Sequence, residues 1–147
     1  NLRHSLRPLG PWGRPFQVFW NATKLKLSGS KEADFFGFLP TTMNAGLNFS
    51  RKPVSAMIKW NYRGKQRRGA WLALGTDSFE YYKARSTLDV SLDYQLRNKL
   101  FLFVSAQNVL NTSEIMLRYG SETPDYALQH RETVLGTQIS LGLKGTF

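Results

Sequence analysis

The sequence predicts an all-β fold of about six antiparallel strands in up-and-down order, forming part of a transmembrane outer-membrane β-barrel. Polar and apolar residues alternate with a period of two, tight turns alternate with long connections, and aromatic residues lie near the ends of apolar stripes. The strands are predicted near residues 15–29, 41–50, 54–63, 86–97, 99–110 and 132–147. At roughly 10–15 residues each, they are longer than the ~5–6 residues of ordinary globular strands.

The alternation is clearest in segments 54–63 and 86–97, where every second residue is apolar. The two apolar series are Val54, Ala56, Ile58, Trp60, Tyr62 and Leu88, Val90, Leu92, Tyr94, Leu96. Successive side chains of a strand point to opposite sides, so each strand has one apolar and one polar face. A soluble β-sandwich has the same alternation. Strand length, aromatic placement and loop rhythm favour a membrane wall over a sandwich.

The connections between these segments alternate in length. Those at 50–53 and 97–99 are tight, and the second predicts that Leu96 pairs with Leu100 so that Leu92 lies opposite Val104. Pro53 suits a turn, and Asn98 tolerates a left-handed backbone. The connections near 30–40, 64–85 and 111–131 are long. Short periplasmic turns and long extracellular loops are typical of outer-membrane barrels.

The amino-acid composition indicates which partners and which cellular compartment the protein has. The chain has 20 Lys and Arg against 10 Asp and Glu, a net charge of +10, which predicts a polyanionic neighbour such as nucleic acid, anionic lipid or an anionic ligand. The absence of cysteine weakly favours an oxidising compartment. No window approaches the ~20 apolar residues of a spanning helix. The chain begins at Asn1 without a signal-like apolar region, so we expect a segment of a longer protein.

Catalytic signatures are missing from the sequence. It has no cysteine, no nucleophile elbow and no phosphate-binding loop, and His4 and His130 lack metal-ligand spacing. We therefore predict no enzymatic activity, no cofactor and no metal site. Asp89 and Asp93 share one strand face, and we interpret them as wall charges paired with bases such as Lys59, since structural ion-pair networks also bring carboxylates together.

The basic run at 63–68 allows three interpretations. It is a nucleic-acid contact that uses Trp71 for stacking, an extracellular loop that contacts lipopolysaccharide phosphate or an anionic ligand, or a solvated loop. A polar barrel interior is expected to contain Lys24, Lys26, Lys59, Asp89, Asp93 and Lys144, with Phe19, Leu25 and Leu27 facing lipid.

Several stretches resemble a known family. LDVSLDYQLRNKLFLFVSAQNVLN resembles the penultimate hairpin of TonB-dependent receptors, which ends in a pattern close to Asn-Leu-Phe-Asp; here the pattern is Asn108-Val109-Leu110-Asn111. A loop rich in Tyr and Gly follows, and then the final strand VLGTQISLGLKGTF. Upstream, FFGFLPTTMNAGLNFSRKPVSAMIKWNYRGKQRR is similar to the preceding barrel strands.

This resemblance implies that residues 1–147 are the C-terminal barrel segment of an outer-membrane receptor, without its plug domain and earlier strands. It implies energy-coupled uptake of a scarce nutrient (a siderophore, cobalamin or glycan) in the bacterial outer membrane. Implied partners are outer-membrane lipid, lipopolysaccharide, the plug of the same chain, TonB acting through the plug, the barrel-assembly machinery and a small-molecule or oligosaccharide ligand, but not nucleic acid. The final strand resembles the barrel-assembly signal at Ser140, Gly142, Leu143 and Phe147.

Ligand contacts are expected in the long loops, where aromatic and Arg side chains make good anchors. The candidates are Arg67, Arg68, Trp71, Tyr81, Tyr82, Arg118, Tyr119 and Tyr126. Two alternatives remain open: a soluble basic β-domain that binds nucleic acid, and a passive porin-like channel.

Overall fold

The protein folds into two antiparallel β-sheets, as seen in a computed structural model that describes residues 2–26, 28 and 37–145. The strands are β1 Leu2–Ser5, β2 Phe16–Lys24, β3 Thr41–Arg51, β4 Val54–Arg63, β5 Gln66–Ala70, β6 Phe79–Tyr82, β7 Arg85–Arg97, β8 Leu100–Gln107, β9 Glu114–Tyr119, β10 Gln129–Thr133 and β11 Gln138–Gly145. Short 3-10 turns lie at Arg7–Leu9, Leu72–Leu74 and Asp125–Ala127. Within these residues, no helix has the length and apolarity to cross a membrane.

The larger sheet, called the wall sheet below, has seven strands in the order β1-β2-β3-β4-β7-β8-β11. Each strand pairs with the next one in an antiparallel meander, so the predicted antiparallel all-β fold is confirmed. The sheet is open, with β1 and β11 at its edges, and is not closed into a barrel. Barrel closure therefore stays a prediction.

The strand register brings the apolar sides of all seven strands onto one face. The row through Ile58 shows this alignment; it consists of His4, Val18, Leu47, Ile58, Val90, Ala106 and Ile139. Directly opposed side chains in a sheet contact each other, so these rows form one continuous apolar surface. It is called the apolar face below.

The turn between β7 and β8 differs from its prediction in one detail. Leu92 lies opposite Val104 as predicted, but an irregularity near the turn brings Arg97, not Leu96, opposite Leu100. The left-handed backbone also lies at Lys99, with φ 67°, and not at Asn98. An extra residue on one strand next to a turn is a β-bulge, which the alternation of apolar residues alone does not reveal.

The polar face contains the aromatic rings of Phe19 and Phe103, of which Phe19 was predicted to meet lipid. Phe19 pairs with Gly46 across β2 and β3, so its assignment to the lipid side is wrong. A Cβ on Gly46 would lie 2.4 Å from the Phe19 ring, which therefore packs directly over this glycine. Phe103 covers Gly142 of β11 in the same way, with 2.7 Å to such a Cβ. An aromatic ring over a cross-strand glycine stabilises a sheet and explains both positions.

The charged residues of the wall sheet were predicted to lie on the polar face, with Asp89 and Asp93 in ion pairs, and the structure agrees only in part. Lys24 shares the strand face of Trp20, so it lies at the end of the apolar face and not on the polar one. Asp93 accepts a hydrogen bond from Lys144 at 2.7 Å, and thus forms the expected kind of wall ion pair. Asp89 lies opposite Lys59 in the register, but accepts hydrogen bonds from the Asn61 side chain at 2.9 Å and from the Asn108 N–H at 3.0 Å. Leu27 and most of the connection near 30–40 lie outside the described residues.

The two ends of the wall sheet are unlike each other. Connections 6–15, 52–53 and 98–99 join strands at one end, called the short-turn end below. The three long connections, which follow β2 at Lys24, β4 at Arg63 and β8 at Gln107, start at the opposite end. The predicted alternation of short and long connections is therefore present, and the second and third long connections contain the remaining four strands.

Candidate ligand-binding site

The long connections form the second sheet, called the loop sheet below, in the order β10-β9-β6-β5. The hairpin β5–β6 extends the pair β4–β7, and the hairpin β9–β10 extends the pair β8–β11. Two segments predicted as loops are thus continuations of wall hairpins. The four strands of the loop sheet were not predicted, because the period-two alternation of the wall strands stops at Arg63.

Seven of the eight candidate contact residues lie on or beside the loop sheet. They are Arg67 and Arg68 on β5, Trp71 just after it, Tyr81 and Tyr82 on β6, and Arg118 and Tyr119 on β9. Tyr126 lies in the 3-10 turn between β9 and β10, and its side chain is 90% exposed. The structure therefore brings together residues from two chain segments about 35 positions apart, although their contact with a ligand stays a prediction.

One face of the loop sheet holds a cluster of two tyrosines and a lysine, called the tyrosine–lysine cluster. The rings of Tyr81 and Tyr119 stack with centroids 4.5 Å apart and planes inclined by 20°. The Lys65 ammonium lies 4.3 Å from the Tyr81 ring centre and 4.7 Å from that of Tyr119, and donates a hydrogen bond to the Tyr119 hydroxyl. Beside it, Arg67 lies 4.6 Å from the ring centre of Phe79. This face combines positive charge with flat aromatic surface.

Burial raises the pKa of the Tyr81 hydroxyl in this cluster. Proximity to Tyr119 acts in the same direction, while the positive charges of Lys65 and Arg67 oppose it. A raised pKa keeps the phenol protonated, and a phenol donates a hydrogen bond whereas a phenolate only accepts. Tyr81 therefore offers a hydroxyl donor next to a lysine cation, which suits an oxygen-rich anion.

The opposite face of the loop sheet holds a more internal network. The Arg118 guanidinium binds the Glu80 carboxylate at 2.6 and 2.7 Å and lies 3.6 Å from the centre of the Trp71 ring. Arg63 and Arg68 lie 5.4 and 5.3 Å from the Tyr82 ring centre. Arg118 and Trp71 are thus held mainly by the protein itself, and their stacking stabilises the sheet.

A hydrogen bond joins the β5–β6 turn to the β9–β10 turn at the outer end of the loop sheet. The Ser121 N–H donates to the Asp77 carboxylate at 2.9 Å. Hydrogen bonds from Ser121 lower the pKa of Asp77, because they stabilise its ionised form. Gly120 allows the close approach: a Cβ there would lie 2.4 Å from the fully buried Ser78 hydroxyl. Neither Gly120 nor Lys65 was among the predicted contacts, although Lys65 belongs to the basic run.

Asn108 fixes the base of the second long connection. Its backbone is left-handed, with φ 53°, and its N–H donates to Asp89 at 3.0 Å. Its side-chain amide donates to the carbonyls of Thr112 and Gly136 at 3.2 and 2.9 Å. The first residue of the Asn-Val-Leu-Asn motif therefore connects β7, β8 and the start of β11, which begins at Gln138 and not near 132 as predicted.

The predicted assembly-signal residues lie on the edge strand β11. Ser140 and Gly142 share the polar face, and Leu143 is 64% exposed on the apolar face. Phe147 lies outside the described residues. Recognition by an assembly machinery stays a prediction.

Other sites are sparse in the described part of the chain. No group of three or more metal-binding side chains lies together within residues 2–26, 28 and 37–145. His130 contacts Arg118, with its Nδ1 3.3 Å from the guanidinium. The predictions of no enzymatic activity and no cofactor are not tested by these findings.

Comparisons of this chain with protein-family models, curated proteins and solved structures give no match.

Proposed function

We propose that this chain is the wall and outer-loop segment of an outer-membrane TonB-dependent receptor that takes up a scarce nutrient. The observation that carries the proposal is the uncovered apolar face of the wall sheet. Ile58 in its centre is 45% exposed, and Ile139 at the β11 edge is 71% exposed. Contiguous apolar surfaces of this kind mark an interaction surface, and lipid is the partner that fits a sheet face of this extent.

The height of the apolar face also fits a bilayer. On β4 it extends from Val54 to Tyr62, eight residue steps, or about 27 Å of strand at ~3.3 Å per residue. A strand tilt of about 40° reduces this to roughly 20 Å, close to the ~25 Å apolar band of outer-membrane barrels. Aromatic rings lie toward both ends of the face: Phe16 packs on Phe49 at 5.0 Å, and Trp60 stacks on Tyr62 at 6.0 Å.

The opposite face suits a polar barrel interior. Asn44 donates to Asn21 at 2.9 Å, Asn61 donates to Asp89, and Lys144 pairs with Asp93. In the proposal this face meets the plug, and the remaining barrel strands and the plug lie outside the 147 residues, because an open sheet of seven strands cannot enclose a plugged lumen. Coupling to TonB follows from the family resemblance alone.

A soluble domain is the weaker explanation. Among the described residues, Met116 is the one large apolar side chain that is buried, at 7% exposure. A soluble domain of about 150 residues buries close to 70% of the surface of its unfolded chain, and does so around an apolar core. The wall sheet instead leaves its apolar face uncovered. A passive porin-like channel has no specific observation in its favour.

In the proposal, the tyrosine–lysine cluster captures ligand on the outer side. An anionic metal chelate or another oxygen-rich anion would accept from Lys65 and from the Tyr81 hydroxyl, with aromatic rings covering its flat parts. The same combination of cations and rings also suits stacked nucleobases, which is the specific feature that supports the nucleic-acid alternative.

The test compares folding and binding in two solvents. For the full-length protein, with the remaining barrel strands present, we expect β-structure by circular dichroism in detergent or lipid but not in plain buffer. In detergent, intrinsic fluorescence would report binding of a ferric tris-catecholate complex, cyanocobalamin or maltoheptaose, with a 20-nucleotide oligo-dT as the competing probe. Lys65→Gln and Tyr119→Ala should weaken the bound nutrient probe about fivefold or more each, as expected of binding anchors. Lys83→Gln, an exposed cation between β6 and β7, is the matched control.

A stable β-fold in detergent-free buffer, combined with oligo-dT binding that weakens steeply with salt, would reject the transporter and favour the nucleic-acid domain.

A further inference from the structure

Within residues 2–26 and 37–145, the turns at the short-turn end of the wall sheet carry only positive charge. Its three turn segments, 6–15, 51–53 and 97–99, contain six basic side chains and no acidic one. These are Arg7, Arg14, Arg51, Lys52, Arg97 and Lys99. All eight acidic side chains of the described residues lie on the wall strands or in the long connections, so the excess of positive charge without acidic neighbours is specific to the turns of the short-turn end.

A groove lies within this basic end, between the β1–β2 turn and the end of β3. Its volume is about 770 Å³, and its lining combines two arginines with aromatic residues and prolines. The lining residues are Pro11, Trp12, Arg14, Pro15, Phe16, Phe49, Ser50 and Arg51. Phe16 and Phe49 also belong to the apolar face, so the groove opens continuously onto it.

The turn that forms the groove is held in place by the backbone. The Ser50 N–H donates to the Pro15 carbonyl at 2.8 Å and ties the turn to β3. Gly13 is buried, and a Cβ there would lie 1.9 Å from the Leu6 carbonyl oxygen. The turn therefore has room only for glycine at this position. Trp12 projects from it with 85% of its surface exposed, in the manner of an interfacial tryptophan.

We propose that this groove binds an anionic phospholipid, with the phosphate between Arg14 and Arg51 and an acyl chain along Phe16 and Phe49. The proposal rests on the membrane role proposed above. Charge complementarity and continuity with the apolar face favour a lipid. The headgroup phosphate would bind the two arginines, and the acyl chain of the same lipid would continue from there onto the apolar face. The protein would thereby be anchored at the interface of one leaflet.

The test uses the full-length protein in vesicles that contain brominated lipids, which quench nearby tryptophans. Brominated phosphatidylglycerol and brominated phosphatidylcholine are compared at equal mole fraction, and the contribution of Trp12 is the difference between the protein and its Trp12→Phe variant. Each arginine that contacts the bound phosphate directly should contribute about a fivefold preference for anionic lipid at Trp12, so Arg14 and Arg51 together predict a preference of roughly 25-fold.

The variants separate the groove from general basic charge. Arg14→Gln and Arg51→Gln should each reduce the preference about fivefold, since each removes one phosphate contact. Arg97→Gln removes the same charge at the same end but outside the groove, and should leave the preference unchanged within about twofold. Gly13→Ala keeps every charge but displaces the turn, and should abolish the preference.

Two results would overturn the lipid site. One is equal quenching of Trp12 by the two lipids, and the other is an Arg97→Gln loss as large as that of Arg14→Gln. Binding of poly-glutamate that depends on Arg14 and Arg51 would assign the groove to an acidic protein segment. In the same samples, Trp20 and Trp60 report on the apolar face: if neither is quenched by either lipid, the membrane role itself fails.

Discussion

An arginine placed at the centre of the apolar face tests whether this face meets lipid or water. Ile58 is the middle one of the five apolar positions of β4, four residue steps from Val54 and from Tyr62. Four steps correspond to about 13 Å of strand, or about 10 Å of depth at a tilt near 40°. Leu47 and Val90 lie on either side of Ile58 in the sheet.

The two environments predict different costs for Ile58→Arg. At the bilayer midplane, an arginine on the lipid side of a barrel strand costs about 2–4 kcal/mol. In water, the same substitution at a side chain that is 45% exposed should change the free energy of unfolding by about 0.5 kcal/mol or less. The difference exceeds the error of an equilibrium measurement.

Two matched variants locate the effect. Met57→Arg changes the next residue of β4, which points to the polar face and is 37% exposed, so we expect about 0.5 kcal/mol or less. Val54→Arg lies at the edge of the apolar face, where the cost should be about 0–1 kcal/mol. We therefore expect Ile58→Arg to lower the free energy of unfolding much more than Val54→Arg, and Val54→Arg to lower it about as much as Met57→Arg.

The assay is reversible urea unfolding of the full-length protein in phosphatidylcholine vesicles, with the free energy of unfolding obtained by linear extrapolation. The reasoning is refuted if Ile58→Arg and Met57→Arg agree within about 0.5 kcal/mol, which corresponds to the scatter of ordinary surface substitutions. A large cost for Val54→Arg but not for Ile58→Arg would also refute it, because the depth order would be inverted.

Further predictions concern the long connections. Gly120→Ala should destabilise the loop sheet by about 1–3 kcal/mol, because its Cβ would collide with Ser78; faster hydrogen exchange in β6 and β9, with the wall sheet unchanged, checks this. Asn108→Gly keeps the left-handed backbone but loses three side-chain hydrogen bonds, and should cost about 1.5–4 kcal/mol in urea unfolding; an unchanged midpoint would contradict the role of the amide. The pKa of Asp77 is lowered in the folded protein, so the unfolded chain binds a proton at this carboxylate more readily than the folded chain does. The ionised Asp77 therefore stabilises the folded protein above pH 3.8, the ordinary pKa, and this stabilisation is lost as the pH falls below that value. Asp77→Asn should flatten the acid limb of the loop-sheet stability profile, and an acid limb identical to that of the unchanged protein would exclude Asp77 as its source.

The candidate contact residues show which features of the site could be predicted from the sequence. Their grouping in long loops followed from loop rhythm, and the structure does bring Tyr81 and Tyr119 into one stack. The sequence offered no means to pair them, because no alternation marks β5, β6 or β9. Lys65 was consequently missed as the cation that joins the two rings.

By itself the sequence determined six of the seven wall strands, the apolar and polar sides of most of their residues, and the alternation of short and long connections; β1 was not predicted. These features follow from local rules: a strand alternates its faces every residue, and turns need residues that tolerate special backbone angles. Only the tertiary structure decided which residues lie opposite each other. Phe19 lies on the polar face because Gly46 is its cross-strand neighbour, and the loop sheet exists because two wall hairpins continue side by side. Such pairings join residues far apart in the chain, so no local pattern specifies them.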